Sequence, residues 1–185
     1  KLLKDSQWNM DKNLSLYNSI STDRSIMRPS MIPSFLELAE LNTKYVDRFR
    51  TFEIGRSYIA GKDSFSNEST QLCVAFYNKD SSPFVELLNH VNALLNSLGL
   101  SFDLVEPNAK FPSNVLPSDW SGIHPVESRN FRVMGKMHAS IFSIHPMILR
   151  NFKVKGHLSL FILDLTAIVD LAFKDKTKYK PLNKF

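Results

Sequence analysis

The sequence predicts an α+β fold built on a mostly antiparallel sheet. Three observations carry that expectation. Stretches that read as strands come first, then one clear helix, then more strands. Two of the later strands meet at Gly135-Lys136, a hairpin signal. The six glycines, at 55, 61, 99, 122, 135 and 156, never crowd into the strand-to-helix turn of a doubly wound parallel sheet or a phosphate loop.

In chain order, residues 1–24 are polar and mixed, with Trp8, Leu14, Leu16, Tyr17 and Ile20 as their anchors. Leu14-Ser15-Leu16 suits a short strand, and Asn18-Ser19 and Ser21-Thr22-Asp23 have turn chemistry. Pro29 and Pro33 suit the start of a helix, where a missing N–H costs nothing. Met31, Ile32, Phe35, Leu38, Ala39 and Leu41 then recur at helical spacing, giving a helix over about residues 30–45 with a broad apolar stripe. Thr51 to Tyr58 reads as a strand, with Phe52, Ile54 and Tyr58 on one face and Glu53 on the other. A polar loop from Gly61 leads to Gln71–Tyr77, a nearly continuous apolar run that suits a central strand.

Residues 83–98 carry the cleanest helical pattern: Phe84, Leu87, Leu88, Val91, Leu94, Leu95 and Leu98. Ser82 stands as N-cap, Pro83 at the first helical position, and Gly99 where a left-handed stop is wanted. Ser101–Glu106 alternates as a strand, and residues 107–121 hold three prolines and form a long loop. Asn130–Met134 and Met137–Ile144 make the hairpin, Met147–Phe152 a short helix, and Leu158–Leu165 a last strong strand. Lys174–Phe185 is polar, contains Pro181 and reads as a linker, so the expected division is a module over 1–173 followed by a linker over 174–185.

Bulk properties fit one globular domain. The chain has 185 residues, 43% hydrophobic and 22% charged, and its first residue, Lys1, suggests a piece of a longer protein. No apolar run approaches the roughly 20 residues of a membrane span. A single cysteine, Cys73, excludes an internal disulfide framework, fits a reducing compartment, and sits in an apolar run as a buried small hydrophobe. The net charge of +5 is mostly local. Residues 174–185 hold five lysines against Asp175, a net of +4, which leaves +1 for residues 1–173. The basic pI therefore belongs to the tail and does not describe a nucleic-acid-binding surface.

The residues that carry chemistry are scattered. His90, His124, His138, His145 and His157 show no i, i+4 metal-ligand pair, and there is no cysteine cluster, so no metal site is expected. His124-Pro125 and His145-Pro146 suit turns oriented by the imidazole. No Gly-x-Ser-x-Gly surrounds any serine. Glu53 with Asp164 is the one conceivable carboxylate pair, and nothing in the spacing makes them converge. A free-standing enzyme using Glu53, Arg56 and a histidine would need those groups in one pocket. An RNA-contacting module would have to use the lysine tail. From the residues alone, the chain reads as an α+β domain with no evident catalytic set.

Several stretches taken together resemble the C-terminal, catalytic-like part of the β subunit of bacterial-type phenylalanyl-tRNA synthetase. They are Asn18 to Leu36 with its Arg28-Pro29-Ser30-Met31-Ile32-Pro33, then Phe52-Glu53-Ile54-Gly55-Arg56, then His124-Pro125 followed past a hairpin by Ile144-His145-Pro146, then Phe161–Leu165, and last Tyr179–Phe185. The pattern departs from the family at Val126-Glu127, where Gly-Arg is usual, and at Ala139, Ser140 and Ser143, where glycine is more common. The resemblance implies a class II aminoacyl-tRNA synthetase-like antiparallel sheet flanked by helices. It also implies a module without an active site that packs on the α subunit in an (αβ)2 enzyme charging tRNA(Phe). The whole enzyme would use ATP and magnesium, and would work in the cytoplasm.

On this reading the fragment itself holds no catalytic, cofactor or metal residue. Class II chemistry needs an arginine on motif 2 and a glycine-rich motif 3 ending in arginine. Gly156 is the last glycine and Arg150 the last arginine, and the strand at 158–165 is followed by Thr166-Ala167-Ile168-Val169-Asp170. Arg28 and, on the 30–45 helix, Pro33, Phe35 and Leu38 become candidate contacts to the α subunit, with Phe35 and Leu38 equally suited to the intradomain core. Glu53 and Arg56 become a candidate structural charge pair. The assembly reading further expects an exposed apolar patch on the isolated chain.

Overall fold

The computed structural model describes residues 1–11, 13–19, 25–61, 66–107, 113, 115–117, 119–133 and 135–172. Among the described residues, six strands form one sheet in the order β1-β2-β6-β5-β4-β3, and every neighbouring pair is antiparallel. The strands are β1 (Arg48–Ala60), β2 (Ser66–Asn78), β3 (Asp103–Val105), β4 (Ile123–Val133), β5 (Lys136–Ile144) and β6 (His157–Asp164). The described helices are α1 (Leu2–Asp5), α2 (Ile32–Asn42), α3 (Phe84–Ser97), α4 (Pro146–Asn151) and α5 (Leu165–Ala172). The α+β expectation holds.

Because side chains alternate across a strand, each inner strand feeds two cores. On one side Cys73, Ala75 and Tyr77 of β2 and Leu158, Leu160 and Ile162 of β6 pack with α2, α4 and the loop carrying Val115, Leu116 and Trp120. On the other, Phe76, Phe161, Leu163, Ala139 and Ile141 pack with Leu87, Val91 and Leu95 of α3 and Ile168 of α5. A strand covered on both sides must be apolar throughout, which is why 71–77 and 158–165 read as near-continuous hydrophobic runs.

Local chemistry explains most boundaries. Gly99 at φ +67° ends α3, and the Leu100 N–H returns to the Leu95 carbonyl. Pro83 occupies the cap position of α3, so the Ser82 hydroxyl only accepts the Phe84 N–H at 3.4 Å and donates to Glu127 instead. The expected helix over 30–45 is trimmed to Ile32–Asn42 with Pro33 in its first turn, and Pro29 lies ahead of it. Leu14–Leu16 forms a single bridge, Ser15 with Ile26, rather than a strand. The sequence gives no warning of α5, which follows β6 with no turn residue between. The Asp164 carboxylate caps it by accepting the Ala167 N–H at 3.1 Å. The lysine-rich stretch 174–185, expected to be a linker, lies outside the described residues.

Candidate functional site

Two places on the sheet carry the residues that the sequence singles out. The first is β1, an edge strand. Glu53 and Arg56 are three residues apart, so they point to opposite sides of the strand and do not pair. Glu53 takes Arg28 at 2.8 Å, and Arg56 takes Glu68 across the hairpin at 3.1 Å. The expected Glu53–Arg56 charge pair is therefore replaced by two others. Arg28 also donates from Nε to the Arg56 carbonyl at 3.1 Å, and its own carbonyl accepts the Tyr58 N–H at 2.8 Å. Arg28 thus fastens the segment before α2 onto the outer edge of β1. Gly55 makes this possible, since a Cβ there would collide with the Arg28 guanidinium.

The two sides of β1 differ sharply. Phe49, Thr51 and Glu53 share a side with Tyr77, Ala75 and Cys73 of β2, toward α2. On the other side, Phe52 is 70% and Ile54 60% exposed, although both are large and apolar. Arg48 and Arg50 flank them on that side, both bonded to Glu86 of α3, and the Arg50 guanidinium lies over the Phe76 ring. α3 and α5 cover the inner strands there and leave the middle of β1 bare. At the end of α2, Leu41, Tyr45 and Val46 are exposed as well.

The candidate contacts on α2 and just ahead of it divide. Phe35 is 1% exposed and Pro33 is buried, so both belong to the intrachain core. Leu38 is half-buried, and Arg28 is engaged with β1 as described. The stripe that suggested a partner surface is consumed by the chain's own sheet. The exposed apolar positions sit one turn and one strand further on.

The second place is a cleft of about 700 Å³ on the α2 side of the sheet, at the β2–β6 end. Its described lining includes Ser57, Ser69, Gln71, Ser113 and Asp164, with Asp11, Glu68 and Asp119 at the margins. Register places Gly55, Gln71 and Asp164 in one row across β1, β2 and β6. Ala139 of β5 pairs with Leu163, so the same row continues to His138. Asp164 accepts the Ser69 hydroxyl at 3.0 Å besides capping α5, both on Oδ1. One step along, Ser113, Ser140 and Asn130 form a hydroxyl and amide chain with links of 2.7 Å.

This floor is polar yet mostly closed to water. Burial lowers the His138 pKa from the usual imidazole value, Asp164 opposes that shift, and Lys136 adds to it. Cys73, opposite Glu53, has its thiol pushed far up, first by burial and then by the Glu53 charge, with Arg28 opposing. It is an inert thiol. Glu53 stands opposite Cys73 while Asp164 stands opposite Gln71, so the conceivable carboxylate pair is split by a strand and one step along it. Among the described residues no cluster of metal-ligating side chains occurs. No described lysine, arginine or histidine lines the cleft, so it offers a triphosphate neither cation nor glycine cradle.

The two His-Pro corners do what the sequence suggested. His124 Nδ1 accepts the N–H groups of Val126 and Glu127 at 3.3 and 3.1 Å, and His145 Nδ1 caps α4 through the Met147 N–H at 3.2 Å. The polar row Gln71–Asp164–His138 was the part sequence reasoning missed. Its signal is a polar residue at or beside the end of three otherwise apolar strands, and only the register aligns them. No helix of the described residues is long and apolar enough to cross a membrane.

Three likenesses accompany this geometry. The family model described as "Phenylalanyl tRNA synthetase beta chain CLM domain" matches residues 1–165. A phenylalanine–tRNA ligase beta subunit from Novosphingobium aromaticivorans is 43% identical over 61 residues, which is 32% of this chain and 8% of that protein. The chain thus matches only a small part of that relative's length. The structure of PylSc, a pyrrolysyl tRNA synthetase of Desulfitobacterium hafniense, superposes with a TM-score of 0.62 at 17% identity, over 86% of this chain and 53% of that one. At that identity the likeness speaks for the fold alone.

Proposed function

This chain belongs to the phenylalanyl-tRNA synthetase β-chain family, and on that premise we propose that it is a catalytically silent module that packs on the α subunit. In this reading residues 1–173 form the C-terminal catalytic-like module, and 174–185 lead toward a further domain. The assembled (αβ)2 enzyme, working in the cytoplasm, charges tRNA(Phe) with phenylalanine and uses ATP and magnesium on the α side.

The observation that carries the assembly reading is the bare stripe on β1. Phe52 and Ile54 stand exposed in the middle of a 13-residue edge strand, and Leu41, Tyr45 and Val46 add apolar surface at the end of α2. Burying such side chains in a partner releases roughly 25 cal/mol per Å² of apolar area, which makes a bare stripe of this size a favoured docking surface. Catalytic silence is supported by the cleft. Its described lining has four carboxylates and no cation, so ATP does not fit it, and no step of adenylate formation is assigned to these residues.

The test is capture of this chain by immobilised α subunit, with aminoacylation measured for each part alone and for the two together. Retention is expected, and Phe52→Asp with Ile54→Asp should abolish it while leaving the fold's circular dichroism unchanged. Failure to bind α, or adenylate formation by this chain alone, overturns the reading.

A further inference from the structure

The Gln71–Asp164–His138 row is well built for something other than a nucleotide. Gln71 is 5% exposed, lines the cleft, and its Oε1 has no hydrogen-bond partner. On the other side of Asp164, His138 is 6% exposed and its Nδ1 is also unpartnered. Buried polar atoms are rarely left unpaired, and an orphaned Gln71 carbonyl beside the Asp164 carboxylate in the cleft calls for a group that donates hydrogen bonds in several directions, with His138 behind the lining. Among the described residues both bonds to Asp164 fall on Oδ1, which leaves Oδ2 for such a donor. The Gln71 carboxamide bonds to no described residue either, so a half-turn about its last bond can bring its carbonyl oxygen to a ligand.

We propose that this cleft binds a small cationic amine, held by the Asp164 carboxylate and the Gln71 carbonyl oxygen. An ammonium supplies three donors and no acceptor, which matches a floor of acceptors. Asp11 and Asp119 at the margins favour a second positive charge and reject a carboxylate or phosphate, since no described cation lines the cleft. Its volume of about 700 Å³ suits a small molecule, for which sites of roughly 300–1,000 Å³ are usual. An amino acid fits worse than a diamine, because its own carboxylate would enter an acidic cleft. The inference rests on the reading that the cleft does not serve ATP, and it is independent of what docks on β1.

The test is a titration of the 185-residue chain with 1,4-diaminobutane, followed by thermal unfolding and by the Gln71 side-chain NH2 signals in NMR. Butane-1,4-diol serves as the uncharged control of equal length, succinate as the opposite charge, and ATP with magnesium as the nucleotide arm. The diamine should raise the unfolding temperature saturably and move the Gln71 signals, while diol and succinate do neither. Asp164→Asn also weakens the cap of α5, so Gln71→Met is the deciding variant. It removes an orphaned acceptor, should unfold no lower than the parent, and should weaken diamine binding by about tenfold or more, the worth of one lost hydrogen bond to a charged group.

No response to the diamine, an equal response to the diol, or an undiminished response in Gln71→Met overturns the proposal. Binding that emerges only after deletion of 174–185 also overturns it, because the lysine tail would then be the occupant. A response to ATP sinks the silent-cleft reading separately.

Discussion

Helix α2 and strand β1 lie next to each other in sequence and each carries large apolar side chains, yet one is sealed and the other is open. Ile32, Pro33, Phe35, Leu36 and Ala39 of α2 are buried against the sheet, while Phe52 and Ile54 of β1 face outward and are mostly exposed. An apolar stripe states that a surface wants covering, not what will cover it. α2 lies over the inner strands and finds cover in its own chain. β1 sits at the edge, where α3 reaches only its first residues through Glu86, so the middle of one side stays bare.

The largest way to break this comparison is to empty the sealed side. Phe35→Ala removes a fully buried ring and should destabilise the isolated chain by about 3–5 kcal/mol, read from urea unfolding. A loss below 1 kcal/mol would mean that α2 is not clamped on its own sheet and that the partner-surface reading of Phe35 stands after all. A smaller effect is expected at the clamp between the two elements. Arg28→Ala loses the Glu53 pair and the bond to the Arg56 carbonyl, both partly exposed. About 1 kcal/mol is expected, because solvent already weakens the ion pair.

Cys73 reports the same contrast through reactivity. It lies beneath α2 and opposite Glu53, and its thiol is held protonated by burial. The native chain should resist alkylation at pH 8, and Phe35→Ala should speed it, whereas a cysteine introduced by Phe52→Cys should react at the rate of a free thiol. The folded pKa is raised above the unfolded value of about 8.5, so the folded state holds the extra proton. Stability from this group is complete below that pH and declines as pH rises above it. Cys73→Ala should flatten that decline, and an unchanged slope would show that other groups cause it.

The fold was largely legible because its signals are local and repeated. The α3 pattern with its Gly99 stop, the hairpin at Gly135-Lys136 and the two apolar runs at 71–77 and 158–165 each need only near neighbours to be read. α5 escaped because β6 passes into it without a turn residue, and its cap, Asp164, reads as the polar end of a strand. The site was less legible for a different reason. Arg28 finds Glu53 across 25 residues, and Gln71 meets Asp164 across 93, so both depend on register that no spacing rule supplies. The error at Glu53 and Arg56 is instructive in the same way. Two opposite charges three residues apart invite pairing on a helix, but on a strand they face opposite sides.

The smallest stability effect is the most telling. Phe52→Ser with Ile54→Thr should change the stability of the isolated chain by no more than about 0.5 kcal/mol, the usual range for exposed positions. Both side chains already sit mostly in water, so little apolar contact is lost, and threonine keeps the branched shape that a strand favours. Aggregation of the isolated chain, followed by light scattering, should fall, since an edge strand with bare apolar side chains is a template for association. Capture by the α subunit should fall with it. If the double variant instead unfolds as readily as Phe35→Ala, then β1 is covered from within the chain, and the contrast between a sealed helix and an open strand is false. If stability, aggregation and capture all stay put, the stripe is bare but idle, and the docking surface must be sought at Leu41, Tyr45 and Val46 instead.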